Sequence, residues 1–373
     1  MIYVLVVIAA LCVGYANGSN DNFKGVATLF GSGTTNYRRA LAWATATTLL
    51  GSIAALFLAG KLIKRFGGKG LIDDAIATQP SFAAAVALGA GITVLIATRI
   101  GMPISTTHGL IGALIGTGLA AGSALNLGNL TSKFLIPLLI SPVIAVVVTV
   151  IVYPVLRFFR QRLGITRDIC LCAGKETLET IPADCHAVAI ERAEKLTATM
   201  GTLVTCESRY RGEILGVSAG ESLDKLHFLS SGIVSFARGL NDTPKIAALL
   251  LLAPAFSTSG SLILIGIVIA LGGLISAHRV AETMSNKITT MNHGQGFTAN
   301  VITGIIVIGA SRFGLPVSTT HVSCGSLFGI GAVSGGGKTK MIASILLAWV
   351  TTLPLAAGIA ALTYLIVNTL NSL

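Results

Sequence analysis

One stretch of this chain occurs twice, and that repetition limits its fold more than any other feature. "RIGMPISTTHGLIG" (99–112) and "RFGLPVSTTHVSCG" (312–325) superpose at a shift of 213, which lays Pro103, Ser105, Thr106, Thr107 and His108 onto Pro316, Ser318, Thr319, Thr320 and His321. A second motif precedes each copy. Gly18, Asn20, Asp21 and Lys24 of "GYANGSNDNFKG" match Gly239, Asn241, Asp242 and Lys245 of "FARGLNDTPK" at a shift of 221. Two unlike motifs in the same order at nearly the same spacing mark an internal duplication.

The motifs sit in an apolar setting. Of 373 residues, 53% are hydrophobic and 11% charged, against about 25% charged in a soluble domain. Runs near the roughly 20 residues that cross a bilayer recur in both halves, so the chain reads as an all-α polytopic membrane protein. Five apolar segments fall at about 1–33, 39–60, 81–100, 103–122 and 134–156, and five more at about 228–254, 259–279, 296–313, 316–334 and 341–367. The opening run "MIYVLVVIAALCV" lacks the basic start and cleavage site of a signal peptide, so it is expected to be a first span. The net charge of +11 is concentrated at span ends, where it orients a membrane protein. No nucleic-acid partner is expected.

Three parts follow: a first membrane repeat at 1–156, an insert at 157–227 and a second membrane repeat at 228–373. The insert carries ten basic and ten acidic residues and reads as a solvated loop or small helical unit. Its basic beginning, "RFFRQRLGITR", places it in the cytoplasm, where a disulfide framework among Cys170, Cys172, Cys185 and Cys206 is not expected. With His186 these cysteines could supply four zinc ligands, but their spacing matches no usual ligand pair. "AVSGGGKTK" (332–340) looks like a phosphate-binding loop, yet Ala332 stands where the first glycine belongs and no strand precedes it.

Parity decides the relation between the halves. Five crossings per half would invert the second half and leave both termini outside. Segments four and nine that dip in and return would make the repeats parallel, with the termini inside. Loop charges do not choose between these.

Only five acidic residues lie outside the insert, and of these only Asp21 and Asp242 fall within apolar segments, at matched positions. A carboxylate at membrane depth costs about 2.5–3.5 kcal/mol and usually marks an ion or proton path. Asn20, Asp21, Asn241 and Asp242 offer oxygens that suit a small hard cation. Gly18 and Gly239 are expected to permit local unwinding that frees backbone carbonyls, giving a discontinuous helix. The alternative is an inert pair between each Asp and the neighbouring Lys24 or Lys245. The "P-x-S-T-T-H" elements suit the opposite charge, because proline ends one segment and Ser or Thr caps the next. A helix N-terminus holds anions, and Ser105, Thr106, Thr107, Ser318, Thr319 and Thr320 add hydroxyl donors. An ordinary cap is the plainer reading of a single copy. His108 and His321 are ligands, proton carriers or packing residues.

Together the four motifs resemble the inorganic phosphate transporter family of sodium- or proton-coupled permeases. "SFARGLNDTPK" (235–245) is especially similar to that family's second signature, whereas the first copy departs from the commoner "GANDVANA" form at Lys24. The resemblance covers 1–156 and 228–373. It implies two inverted-topology repeats with broken or hairpin helices at the midplane, and termini outside a plasma membrane such as the bacterial inner membrane. It also implies symport of inorganic phosphate with sodium or protons, often by a homodimer among membrane lipids. By the same motifs Asn20, Asp21, Asn241 and Asp242 would hold coupling sodium ions, with no other cofactor or metal, and the two Ser-Thr-Thr tips would cradle phosphate. Rival readings are a sulfate permease of the same family, proton-coupled uptake of metal–phosphate complexes, and an uncoupled anion channel. No catalytic constellation argues for an enzyme.

Overall fold

The computed structural model describes residues 2–58, 60–68, 70–180, 191–210 and 214–372. The chain forms two compact units, Met1–Tyr153 with His227–Leu373, and Pro154–Leu226. Cys185 and His186 lie outside the described residues.

The first half of the large unit begins with α1 (Ile2–Asp21), which passes through a 3-10 turn at Asn22–Gly25 into the short α2 (Ala27–Gly31). Then follow α3 (Tyr37–Leu58), α4 (Gly60–Phe66), α5 (Asp74–Ala77), α6 (Pro80–Arg99) and α7 (Thr106–Ala120). The short α8 (Leu127–Leu130) and a π turn lead into α9 (Ile136–Arg162). The insert contributes β1 (Ile169–Thr180), β2 (Glu191–Thr202), α10 (Leu203–Tyr210) and β3 (Ile214–Ser218). The second half holds α11 (Ala219–Leu250), α12 (Thr258–Ser276), α13 (His278–Glu282), α14 (His293–Arg312), α15 (Thr319–Ser334) and α16 (Thr339–Ser372).

Seven helical runs among the described residues are long and apolar enough to cross a membrane. Apolar side chains on these helices point outward, among them Ile140, Ile144, Val147 and Ile151 of α9. That stripe at helical spacing suits a lipid-facing surface. α11 is not one of the seven, although it is 32 residues long. It carries Arg238, Asp242 and Lys245, all buried.

Two hairpins bear on the parity question. α6 runs beside α1 in the same direction, with Gly91 against Val13 and Thr98 bonded to Asn20. α7 then folds back along α6, with Gly109 against Ala90 and Val94. Segments three and four therefore form one re-entrant hairpin whose tip, 100–105, stops level with Asn20. The second half repeats this arrangement. Gly304 of α14 lies against Ile233 and Val234 of α11, Ser311 bonds Asn241, and α15 follows. Setting the hairpins aside leaves α1, α3 and α9 as long runs in the first half and α11, α12 and α16 in the second, an odd number that is compatible with inversion. Both hairpin turns need a left-handed residue and have one at matched positions, Gly101 (φ 73°) and Gly314 (φ 69°).

Gly18 and Gly239 do something other than unwind a helix. Gly18 stays helical within α1, and a Cβ there would lie 1.9 Å from the Ile269 carbonyl oxygen of α12. A Cβ on Gly239 would lie 2.1 Å from the Thr48 carbonyl oxygen of α3. The two glycines let helix backbones of opposite halves touch, as small residues do in membranes. The helix break exists only in the first copy. α11 runs unbroken through Asp242, with Pro244 inside it.

The insert contains more strand than a small helical unit would have. β1 pairs antiparallel with both β2 and β3, in the order β2-β1-β3. A disulfide joins Cys172 of β1 to Cys206 of α10, while Cys170 stays free and buried. The pairing departs from the expectation of no disulfide. It arises because the sheet carries Cys172 to the face that α10 covers. In a reducing compartment the same geometry holds two neighbouring thiols.

Candidate functional site

The four motifs converge at the hairpin tips. Asn20 ties α1 to its own hairpin: its Nδ2 donates to Thr98 Oγ1 (2.9 Å) and the Met102 carbonyl (3.1 Å), and its Oδ1 accepts from the Ile104 amide (3.2 Å). Asn241 does the same for α11. Its Nδ2 donates to the Val317 carbonyl (3.1 Å), and its Oδ1 accepts from Ser311 (3.3 Å). Thr98 and Ser311 are themselves matched by the shift of 213.

Each aspartate then pairs with the lysine one turn on, inside a cage of oxygens. Lys24 Nζ bonds Asp21 Oδ1, Asn20 Oδ1 (2.7 Å), the Ile104 carbonyl (2.8 Å) and Thr320 Oγ1 (2.7 Å). Lys245 Nζ bonds Asp242 Oδ1 (3.3 Å), the Val317 carbonyl (2.9 Å) and Thr107 Oγ1 (2.7 Å). The threonine contact is crossed: each lysine reaches the hairpin tip of the other half. The cages suit a cation in kind, being all oxygen with one carboxylate each, and in both the position is held by an ammonium. The backbone oxygens come from the hairpin tips, not from an unwound α11, which is why that helix needs no break.

The six tip residues have separate tasks. Ser105 and Ser318 are N-caps, accepting from the amides of His108 (3.1 Å) and His321 (3.2 Å). Thr106 donates to Asp21 Oδ2 at 2.9 Å, and Thr319 to Asp242 Oδ2 at 3.5 Å, the edge of hydrogen-bonding range. Thr107 and Thr320 complete the crossed cages. All six, with both aspartates and both lysines, are buried.

The sequence reasoning missed Arg238. The shift of 221 that aligns the first motifs lays it on Asn17, and a basic residue in an apolar segment is itself a signal. Its guanidinium is 1% exposed and donates to Asn17 Oδ1 (3.2 Å), Asn22 Oδ1 (2.9 Å) and Thr48 Oγ1 (3.0 Å). Its Nε has no partner among the described residues. Asn17 in turn donates to Asp21 Oδ2 (2.7 Å), Thr106 Oγ1 (3.1 Å) and Asp242 Oδ2 (3.4 Å), so it sits between the two carboxylates. The buried ionisable groups of this cluster are thus three cations and two carboxylates. A half-open cavity of about 570 Å³ reaches Thr98 from outside, lined by Tyr15, Ser19, Arg99, Ser276 and Arg279 among others. Its arginines favour the approach of an anion.

His108 and His321 meet behind the tips with ring centroids 4.4 Å apart, and Trp349 stacks on His321 at 3.8 Å. Trp349 also donates to the Pro103 carbonyl (3.3 Å). The pair borders an apolar cavity of about 570 Å³ beside Leu139, Val143 and Val350. Among the described residues these histidines make ring stacking and packing contacts, and His321 Nδ1 also lies 3.5 Å from the Leu138 carbonyl.

Known proteins resemble this chain in sequence and in fold. A protein of Rhizobium meliloti named as a probable low-affinity inorganic phosphate transporter is 28% identical, over 95% of this chain and 93% of its own. A Mycobacterium leprae protein of the same name is 26% identical, over 98% of this chain and 78% of its own. The fold matches the solved structure of a sodium-dependent phosphate transporter with a TM-score of 0.75 at 20% identity, covering 99% of both chains. The model of the phosphate transporter family matches residues 17–360, which takes in both signature pairs and both hairpins. This multi-pass membrane protein therefore belongs to the phosphate transporter family, a family of transporters and not of enzymes.

Proposed function

We propose that this chain imports inorganic phosphate by symport with a cation, sodium or protons, and binds the anion between the hairpin tips 105–107 and 318–320. The observation that carries this reading is the surplus charge of the buried cluster. Among the described residues, Lys24, Lys245 and Arg238 are buried together with two carboxylates, Asp21 and Asp242, and all five are shielded from water. Uncompensated charge at such depth is costly, and a bound oxyanion removes that cost. The N-termini of α7 and α15 add partial positive charge at the same place. Asn20, Asp21, Asn241 and Asp242 form the cation-holding walls of the site. Alternating access arises as the two halves rock about it.

A proton on the anion favours phosphate over sulfate. Hydrogen phosphate carries a proton that it can donate to an oxygen acceptor among the tips, whereas sulfate has none, and a buried acceptor left without that partner costs about 1–3 kcal/mol. The cytoplasmic placement of the insert, from its basic run at 157–167, and a homodimer belong to the same proposal. The test is labelled phosphate uptake into proteoliposomes, with sodium and proton gradients imposed separately and sulfate or arsenate as competitor. Uptake driven by one gradient and resistant to sulfate is the expected result. Flux indifferent to both gradients would instead establish a channel.

A further inference from the structure

The two oxygen cages already contain cations, and those cations are covalently part of the chain. Each cage joins a carboxylate oxygen (Asp21 or Asp242), a hairpin carbonyl (Ile104 or Val317) and a threonine hydroxyl from the opposite tip (Thr320 or Thr107). The first cage adds the side-chain oxygen of Asn20. These are the hard, partly anionic oxygens that a sodium ion would take in exchange for its water. In both copies the centre is filled by a lysine ammonium bearing the same single positive charge. We propose that Lys24 and Lys245 are tethered substitutes for coupling sodium ions, so that phosphate transport by this chain does not depend on sodium.

Three observations support the substitution over a pair of incidental ion pairs. First, it occurs twice, at positions matched by the repeat, with the carboxylate, carbonyl and threonine partners matched as well. The carbonyl and the crossed hydroxyl take up the remaining N–H donors of each ammonium, in the same arrangement in both halves. Second, both ammonium groups are at least 98% buried. A sodium ion entering either cage would have to share it with a like charge or expel the ammonium into apolar surroundings. Third, an expelled ammonium finds no other carboxylate in the membrane segments. Asp21 and Asp242 are the only acidic residues within the apolar segments of the repeats, and each is committed to its own cage. Tethering also fixes the effective concentration of the ammonium at the cage, so a dissolved ion competes at a disadvantage.

The inference rests on the phosphate-transport reading and narrows it. Of the two coupling cations considered there, sodium is removed and protons remain. The solved sodium-dependent phosphate transporter shares this chain's fold at 20% identity, and the same architecture would then serve two coupling ions.

The wild-type chain decides the matter without mutation. Labelled phosphate uptake into proteoliposomes is measured under a fixed proton gradient, with sodium replaced by choline on both sides. A change of less than threefold is expected, and a larger fall overturns the proposal. If neither buffer supports phosphate flux, the transport reading fails. The cages are then judged by thermal unfolding of the purified chain in sodium chloride and choline chloride at equal ionic strength. Wild-type midpoints should coincide, since an ion that does not bind the folded state cannot stabilise it. Lys24→Asn and Lys245→Asn open the cages and should acquire a sodium-dependent rise of several degrees. A sodium response in the wild type, or none in well-folded variants, overturns the substitution. Where a variant does not fold, the wild-type comparison alone decides.

Discussion

Within the buried charged cluster the two halves differ in charge at one matched pair of positions, Asn17 and Arg238. The cages, hairpins, caps and close-approach glycines are all duplicated, yet the residue one turn before each aspartate is an amide in the first half and a guanidinium in the second. Asn17 lies between both carboxylates, at 2.7 Å from Asp21 and 3.4 Å from Asp242. Arg238 turns toward Asn17, Asn22 and Thr48 of the first half. The duplication thus supplies the frame, and a single departure from it supplies the surplus charge an anion needs.

The comparison extends to how firmly each aspartate is held. Asp21 accepts from Asn17, Thr106 and Lys24 at normal hydrogen-bond lengths or shorter, with Thr320 at 3.4 Å, whereas Asp242 has one such bond, from Asn241 at 2.9 Å, and its contacts to Lys245, Thr319 and Asn17 are 3.3–3.5 Å. Asp21→Asn and Asp242→Asn should each cut phosphate uptake by more than 100-fold while the protein still inserts. Each strands a buried lysine, a change worth about 3–5 kcal/mol. The loss in thermal stability should be greater for Asp21→Asn. Equal losses would mean that the looser second cage is no weaker than the first.

Gly18→Ala and Gly239→Ala test the frame itself. Each adds a methyl within about 2 Å of a facing backbone carbonyl and should destabilise the fold by about 2–3 kcal/mol, as overpacking does. Thermal unfolding in detergent should give similar losses at both positions. A neutral result at one of them would show that the two helix crossings are not equivalent.

Arg238→Asn would make the second half copy the first. Losing a charged donor costs about 1.5–3 kcal/mol, so the KM for phosphate should rise about 10- to 100-fold with a smaller change in kcat. An unchanged KM would move the anion away from Arg238. The smallest effect is expected at Trp349→Phe, which keeps the stack on His321 but loses the hydrogen bond to Pro103. A stability loss of about 1 kcal/mol is the expected reading, with transport retained.

Much of this site was legible in the sequence because the repeat turns weak local signals into paired ones. Asp21 and Asp242, both asparagines and both tips were singled out by the two shifts alone, and the structure brings all of them together. Less could be read from Gly18 and Gly239. A glycine in an apolar helix permits either unwinding or close packing, and only the neighbour across the interface decides which. Arg238 was hidden by its alignment with Asn17, since a search for identical pairs passes over the pair that differs. The strands of the insert were hidden too, because mixed charge reads as solvated whatever the backbone does. The Cys172–Cys206 pairing depends on how β1 and α10 pack, which no spacing rule conveys.

The crossed contacts of Lys24 to Thr320 and Lys245 to Thr107 have a consequence for how such a protein can be divided. Neither half carries the hydroxyl that closes its own cage. A half-length chain on its own would have a lysine without its full set of partners and a threonine with nothing to receive. Two half-length chains would have to exchange these groups to assemble either cage. The shortest working ancestor of this architecture would therefore have been a pair of small proteins, and fusion into one chain would have freed position 238 to diverge from position 17.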